Sequence, residues 1–340
     1  MRAITYTQTG DPDVLTLVER EAPEPGPGEV RVTLHVAGVN PTDWKSRRGA
    51  APGQEPPFGE QVPGQDGAGV VDAVGAGVDG LAVGQRVWVW EAAWSRPTGT
   101  AQEQVVLPAE HVVPLPDEAS FDLGASLGIP ALTAHRCLTV AEDGPSRLAP
   151  GALAGRSVLV AGGAGAVGNA AIQLARWAGA TVVTTVSGPE KAALATAAGA
   201  HHVVNYRTQD AAAVIREIAP DGVDVVVEVA PGPNAALDAA VVAPHATVAV
   251  YANDGGDEVT LPIRAHMGPN TRYQFVLVYT VTPQAKADAL AAVQAAVADG
   301  ALRAGEDHGL PFVRFPLEQA AAAHAAVEDG AVGKVLIDIR

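Results

Sequence analysis

The sequence predicts an α/β protein built from a β-rich part and a doubly wound parallel sheet with helices on both faces. Three observations carry this expectation. An apolar run, 157–161, leads straight into Gly163-x-Gly165-x-x-Gly168 and then into a stretch with helical apolar spacing (Ala170, Ile172, Leu174, Ala175, Ala178). From about residue 125 strand and helix patterns alternate, which implies parallel strands covered on both faces. Before that point the apolar residues alternate singly between clusters of Gly and Pro, the mark of short strands joined by turns.

The β-rich part opens with Val30, Val32, Leu34 and Val36 on one face of a strand. Two glycine-bounded strands follow, 69–75 and 85–90, and prolines cluster at 23–27 and 52–63. In the alternating part, strands are expected near 157–161, 181–186, 202–204, 223–229 and 246–251, with helices near 166–178, 190–198, 209–218 and 233–240. A further β run covers 273–279, two Ala-rich helices cover 285–298 and 317–328, and a strand closes the chain at 334–339. The glycine turn lies mid-chain, so a nucleotide-binding domain is expected to be inserted between two pieces of another. The expected boundaries are 1–124, 125–280 and 281–340.

Composition narrows the classes. At 340 residues, with 48% apolar and 18% charged residues, the chain can bury a substantial core. Its formal charge of −16 disfavours nucleic acid and acidic membrane surfaces as partners. The single cysteine, Cys137, fits a reducing compartment. The first residues lack the apolar segment of a signal peptide, and no run reaches the ~20 apolar residues of a membrane span. A cytoplasmic protein is expected.

The glycine turn points to a dinucleotide. Gly163 allows a tight turn, Gly165 clears a side chain from the path of a pyrophosphate, and Gly168 lets helix and strand pack closely, while the helix N-terminus offers N–H groups to the anion. At the end of the second strand, where an NAD site usually places Asp or Glu, the chain reads Ser187-Gly188-Pro189-Glu190-Lys191. A hydroxyl and an ammonium suit a 2′-phosphate, so NADPH is expected, with Ser187 and Lys191 as contacts. Ser187 and Pro189 also suit a helix start, and the two roles can coexist.

Several motifs in order then resemble the medium-chain dehydrogenase/reductase superfamily, specifically its zeta-crystallin-like NADPH:quinone oxidoreductase branch. They are Gly38-Val39-Asn40-Pro41-Thr42-Asp43, Pro63-Gly64-Gln65-Asp66-Gly67-Ala68-Gly69, Gly84-Gln85-Arg86-Val87, Gly128-Ile129-Pro130-Ala131, the glycine turn, Gly199 to Arg207, and Gly330-Ala331-Val332-Gly333-Lys334-Val335. The resemblance implies a GroES-like catalytic domain, an inserted Rossmann domain, a cofactor in the cleft between them, and homodimers or tetramers paired through an edge strand near 273–279. It further implies that Ala164, Ala166 and Val167 lie with the glycines at the pyrophosphate. Thr184, Ser187, Lys191 and Tyr206 lie around the adenosine phosphate. Val250 and Tyr251 follow the fifth strand, Leu277 and Val278 serve the nicotinamide amide, and Lys334 reaches the site from the C-terminal piece.

The zinc alcohol dehydrogenases share that superfamily, but their ligands are missing. Asn40 stands where they carry Cys, Gln65 where they carry His, and 88–104 holds no cysteine. No metal site is expected. Adjacent His201 and His202 would face opposite ways in a strand, and His35, His111 and His135 are isolated. Without a Lewis acid, an acceptor that takes hydride readily is favoured: a quinone or an α,β-unsaturated carbonyl, with the proton from water. Asn40 and Asp43 are the candidate catalytic groups; Asn40, Lys45, Trp88 and Trp90 are the candidate substrate contacts. The family's tyrosines after the Asn-Pro-x-Asp turn are replaced here by Trp44-Lys45-Ser46. Trp88 and Trp90 share one strand face, which suits either core packing or a ring-lined cleft for a flat substrate. Two other readings stay open: an enoyl or enone reductase of a biosynthetic pathway, and a nucleotide-binding protein without catalysis.

Overall fold

Prolines and glycines cut the first 129 residues into short strands. The computed structural model describes residues 1–340 and divides them into two units, Met1–Ile129 with Phe312–Arg340, and Pro130–Pro311. The first unit begins with β1 (Arg2–Thr5), β2 (Thr16–Glu19), β3 (Glu29–Val39), α1 (Pro41–Arg48), β4 (Asp66–Val74), β5 (Arg86–Val89), β6 (Gln104–Pro108) and β7 (Val112–Pro114). Helix α2 (Phe121–Leu138) then carries the chain into the second unit.

The second unit alternates as its sequence period demands. Its elements are β8 (Ser157–Ala161), α3 (Ala166–Trp177), β9 (Thr181–Val186), α4 (Pro189–Ala197), β10 (His202–Asn205), α5 (Ala211–Ile218), β11 (Val223–Glu228), α6 (Pro231–Val241), β12 (Val242–Val250), α7 (Ile263–Met267), β13 (Arg272–Phe275) and α8 (Pro283–Ala298). The six strands pair in parallel in the order β10-β9-β8-β11-β12-β13. The order reverses between β8 and β11, so their outgoing connections diverge to opposite faces and leave a crevice at their carboxyl ends. Valines at 183, 204, 223, 226 and 248 with Leu159 and Ile215 form the core on one face.

The run expected as a strand over 273–279 stops at Phe275: Val276 donates its N–H to Val250 O at 2.7 Å, and a 3₁₀ turn, Val278–Thr280, follows. The C-terminal boundary also differs from expectation, at 311/312 rather than 280/281. The segment after β13 is tied to α3 by side chains: Trp177 Nε1 donates to Asp299 Oδ2 at 2.9 Å, Gln173 Nε2 to Arg303 O at 3.0 Å, and Asn169 Nδ2 to His308 O at 2.8 Å.

The chain returns to the first unit with β14 (Phe312–Pro316), α9 (Ala320–Glu328) and β15 (Lys334–Asp338). The sheet runs β14-β15-β3-β4-β5-β7, and one edge of β3 is shared, β6 pairing Glu29–Thr33 and β15 pairing Val36–Val39. Val30, Val32, Leu34, Val71, Val87, Leu107, Val335 and Ile337 form its core. No helix is long and apolar enough to cross a membrane.

Candidate functional site

In the second unit, the glycine turn follows β8 at the carboxyl edge of the sheet. Its three glycines answer three constraints. A Cβ on Gly163 would meet Thr184 Oγ1 at 2.1 Å, and one on Gly168 would meet Gly162 O at 2.4 Å. One on Gly165 would meet only Gly162 O, at 3.5 Å, so the turn itself does not require glycine there. Gly165 is the exposed member and the N-cap of α3, and no side chain caps the helix. An uncapped helix start with N–H groups and a bare Cα facing outward is a place where an anion fits.

The register brings the other expected cofactor residues to the same edge. Ala161 pairs with Thr185, Val186 with Asn205, and Val250 with Phe275, so the strand ends are level. Ser187 follows β9 and Tyr206 follows β10, where the Tyr206 N–H bonds Val186 O at 3.2 Å. Lys191 sits in the first turn of α4, half-buried and outside any ion pair, and the Tyr206 ring is exposed. Tyr251 follows β12; Leu277, half exposed, and buried Val278 follow β13. Ala164 is buried, and Ala166 and Val167 open α3.

Thr184 departs from the expectation. It is fully buried and donates its hydroxyl to Val160 O at 2.7 Å, directly beneath Gly163. It supports the turn from below and has no hydroxyl to offer a phosphate.

The sequence reasoning missed Glu228, whose signal was an acid closing an otherwise valine-rich strand. Glu228 is fully buried at the end of β11, and its Oε1 accepts from Ala230 N at 2.5 Å and Asn234 Nδ2 at 2.9 Å. Buried Asp238 faces it, and no other group partners Glu228 Oε2 or either Asp238 oxygen. Burial pushes the Asp238 carboxyl up to about 8, and the Glu228 charge adds to that. The pair therefore holds one proton between two carboxyls at neutral pH.

In the first unit, Asn40 ends β3 and starts α1, where Pro41 suits the first helical position. Asp43 closes the helix start by accepting the Asn40 N–H on Oδ2 at 2.7 Å. The Asn40 side chain is engaged on both ends: Nδ2 donates to Asp66 Oδ2 at 2.7 Å, and Oδ1 accepts from Lys334 Nζ at 2.7 Å. Asp66 also accepts the Ile129 N–H at 2.9 Å, and Lys334 Nζ stands 3.7 Å from Asp66 Oδ2. Burial draws the Lys334 ammonium below the usual lysine range and pushes the Asp66 carboxyl up, each opposed by the charge of the other. Two expectations are corrected here. Lys334, 1% exposed, spends its charge on Asn40 and Asp66, so it does not reach out to a cofactor. Asn40, 2% exposed, is a link in this network and not a free donor aimed at substrate.

A cavity of about 580 Å³ opens in the same unit beside Asp43. Its wall is lined by Tyr6, Phe58 and Trp94, several prolines, Asp43, Glu55 and Gln65, among others. Burial pushes the Asp43 carboxyl up to about 7, since desolvation and nearby Asp66 outweigh its backbone hydrogen bond to Asn40. Asp43 Oδ1 and Gln65 Oε1 are both covered and have no partner. Three expected substrate contacts lie elsewhere. Trp88 and Trp90 are 1% and 4% exposed and belong to the core: Trp88 packs under α2 beside Gly124, and Trp90 lies against His111. Lys45 is exposed on α1, over the Trp44 ring and outside the cavity. Trp94, 38% exposed, is the tryptophan that faces open space. The histidines take structural places: His201 and His202 are on the surface, His135 is buried and accepts the Leu148 N–H, and His35 stacks on Phe121.

Comparison with known proteins agrees with this arrangement. Residues 26–117 match the alcohol dehydrogenase GroES-like domain, and residues 166–295 match the family described as zinc-binding dehydrogenase. A quinone oxidoreductase of Pongo abelii is 31% identical, over 99% of this chain and 97% of its own. A 2-haloacrylate reductase of a Burkholderia species is 32% identical, over 95% and 94%. A mycobacterial protein solved in complex with NADPH superposes with a TM-score of 0.81 at 29% identity, over 99% of each chain. The zinc in the second family description does not fit this chain. The Asn40 amide is occupied by Lys334 and Asp66, Gln65 brings a carboxamide where a thiolate or imidazole is needed, and no three His, Cys, Asp or Glu side chains cluster to hold a metal ion. With full-length identity to quinone oxidoreductases, both domains matched and the zinc ligands replaced, the chain belongs to the quinone oxidoreductase family of the medium-chain dehydrogenase/reductase superfamily.

Proposed function

We propose that this protein reduces quinones or α,β-unsaturated carbonyl compounds with NADPH, without a metal ion. The observation that carries the reading is Gly165: an exposed glycine at an uncapped helix start that its own backbone does not require. Gly163, Ala164, Gly165, Ala166, Val167 and Gly168 would hold the pyrophosphate; Ser187, Lys191 and Tyr206 would surround the 2′-phosphate; Val250, Tyr251, Leu277 and Val278 would flank the nicotinamide. NADPH, when bound, supplies a hydride to the acceptor.

The acceptor must also gain a proton. Asp43 is our candidate to hold it, because Oδ2 is taken by the Asn40 N–H, Oδ1 has no hydrogen-bond partner, and the residue borders the cavity. Asn40, Asp66 and Lys334 act through Asp43 as positioning residues: Asn40 fixes the carboxyl, and the other two fix Asn40. We also place the protein in the cytoplasm, on its single buried cysteine. We assign it a homodimer through β13, an outer strand of the second unit's sheet with Phe275 64% and Leu277 50% exposed. The test is NADPH oxidation by the purified protein with 1,4-benzoquinone and 9,10-phenanthrenequinone. Turnover of either supports the reading; binding of NADPH without turnover of any quinone or enone removes it.

A further inference from the structure

The cavity beside Asp43 is lined without a lysine, an arginine or a histidine, while two acidic residues, Asp43 and Glu55, are among those that line it. On α1 the Arg47 guanidinium is fully buried and is not part of the wall; it donates to Gly10 O at 2.7 Å and to Glu328 Oε2 at 2.8 Å. The rest of the wall is aromatic rings and prolines, which offer flat apolar surface. In that wall Gln65 carries both a donor and an acceptor and is nearly buried, 5% exposed; its side-chain oxygen is covered and has no partner, whereas the hydroxyls of Tyr6 and Thr9 are hydrogen-bonded within the protein. An unpaired buried amide oxygen is costly, and it is matched by a ligand that brings a hydroxyl.

On the reading proposed above, we propose that this cavity takes a neutral, flat quinone, that Gln65 docks one of its two carbonyls, each of which becomes a hydroxyl, and that acceptors bearing an anionic group are excluded. The amide suits both sides of the reaction. Its nitrogen donates to the carbonyl oxygen of the quinone; its oxygen accepts the O–H of the hydroquinone. The balance is one hydride from NADPH and one proton, adding two hydrogens to the quinone and leaving oxidised cofactor. Exclusion of anions follows from Glu55 and the net charge of −16, because no cation in the wall compensates a second negative charge. Gln65 is thus a specificity-determining residue, and its position was recognisable in the sequence only as a missing zinc ligand.

The test uses two acceptors that differ by one negative charge and a methyl group: a 1,4-naphthoquinone carrying a propanoate side chain, and its methyl ester. The expected kcat/KM ratio of ester to acid is at least 50 at low ionic strength. In Glu55→Lys, an exposed change, that ratio falls at least tenfold. In Gln65→Leu, which removes both polar atoms, kcat/KM for the ester falls at least tenfold, while NADPH affinity, read by fluorescence titration, stays within twofold. Gln65→Asn, with the amide withdrawn by one methylene, gives an intermediate loss and serves if the leucine variant does not fold. A ratio near one with good turnover of both acceptors overturns the anion exclusion and leaves the NADPH-dependent function standing. A Gln65→Leu enzyme as active as the parent overturns the docking role. Failure of both acceptors with a protein that turns over 1,4-benzoquinone or an enone overturns this inference alone; failure with every quinone and enone in a protein that binds NADPH overturns the proposed function with it.

Discussion

The ammonium of Lys334 lies 2.7 Å from the carboxamide oxygen of Asn40, across 294 positions of sequence and with both side chains buried. One bond therefore fastens the C-terminal strand β15 to the start of α1, within the unit that also holds Asp43. It explains why a lysine is fully buried in a core otherwise made of Val and Leu: its charge is met by Asn40 and, at 3.7 Å, by Asp66.

Removing one partner of this buried set is expected to cost more than the set contributes. Lys334→Met strands the Asp66 carboxylate and the Asn40 oxygen, and destabilisation of about 3–5 kcal/mol is expected by urea unfolding. The double variant Lys334→Met/Asp66→Asn should recover part of that loss, because the uncompensated charge is gone. Equal stability of Lys334→Met and parent would show that the ammonium is not buried.

The glycine turn separates folding from binding. Gly163→Ala and Gly168→Ala place a Cβ at 2.1 Å from Thr184 Oγ1 and 2.4 Å from Gly162 O, so both should unfold at lower temperature. Gly165→Ala meets nothing nearer than 3.5 Å and should melt with the parent while losing NADPH binding in calorimetry. Wild-type affinity in a folded Gly165→Ala protein would move the pyrophosphate elsewhere.

Lys191 sets the choice of cofactor. Lys191→Ala should weaken NADPH by about 1–3 kcal/mol, the scale of a hydrogen bond to a charged group, and leave NADH nearly unchanged. Equal losses for the two cofactors, measured by titration, would show that Lys191 does not meet the 2′-phosphate.

The parallel sheet, its glycine turn and most of the carboxyl-edge positions were legible because they depend on local spacing. An apolar run, a glycine signature and helical periodicity each survive without knowledge of distant contacts, and parallel pairing then levels the strand ends. The first unit was less legible because its site is made by long-range pairing. Nothing near Lys334 in sequence signals Asn40, and nothing around Trp88 and Trp90 reveals that α2 covers them, through the small residues Gly124 and Gly128. Thr184 misled for the same reason: a hydroxyl at a strand end suits a phosphate, but Val160 of the adjacent strand takes it first.

The Glu228–Asp238 pair should write a pH dependence into stability. The Asp238 carboxyl has its pKa raised from 3.8 to about 8 in the folded state. The folded protein thus keeps a proton that the unfolded chain releases, so the contribution is full below about pH 4 and is lost as pH rises toward 8. Asp238→Asn keeps the shape and a donor for Glu228 without needing that proton. Its stability relative to the parent should rise by a few kcal/mol between pH 5 and pH 8, on the order expected for such a shift. A difference that does not change with pH would place the proton elsewhere.

Asp43 should set the pH dependence of turnover in the opposite sense from a general base. Its carboxyl, pushed up to about 7 by burial, carries a proton below that pH and loses it above. As a proton donor it is competent only in the protonated form, so kcat with saturating NADPH and quinone should be level below pH 6 and fall about tenfold per unit above 8. Asp43→Asn can still accept the Asn40 N–H, which keeps the start of α1 intact, but cannot give up a proton. Its kcat should be about 10²-fold lower and flat across the same range. A solvent-derived proton would leave the variant near parental activity with the fall still present, and Asp43 would then be only the residue that closes the first turn of α1.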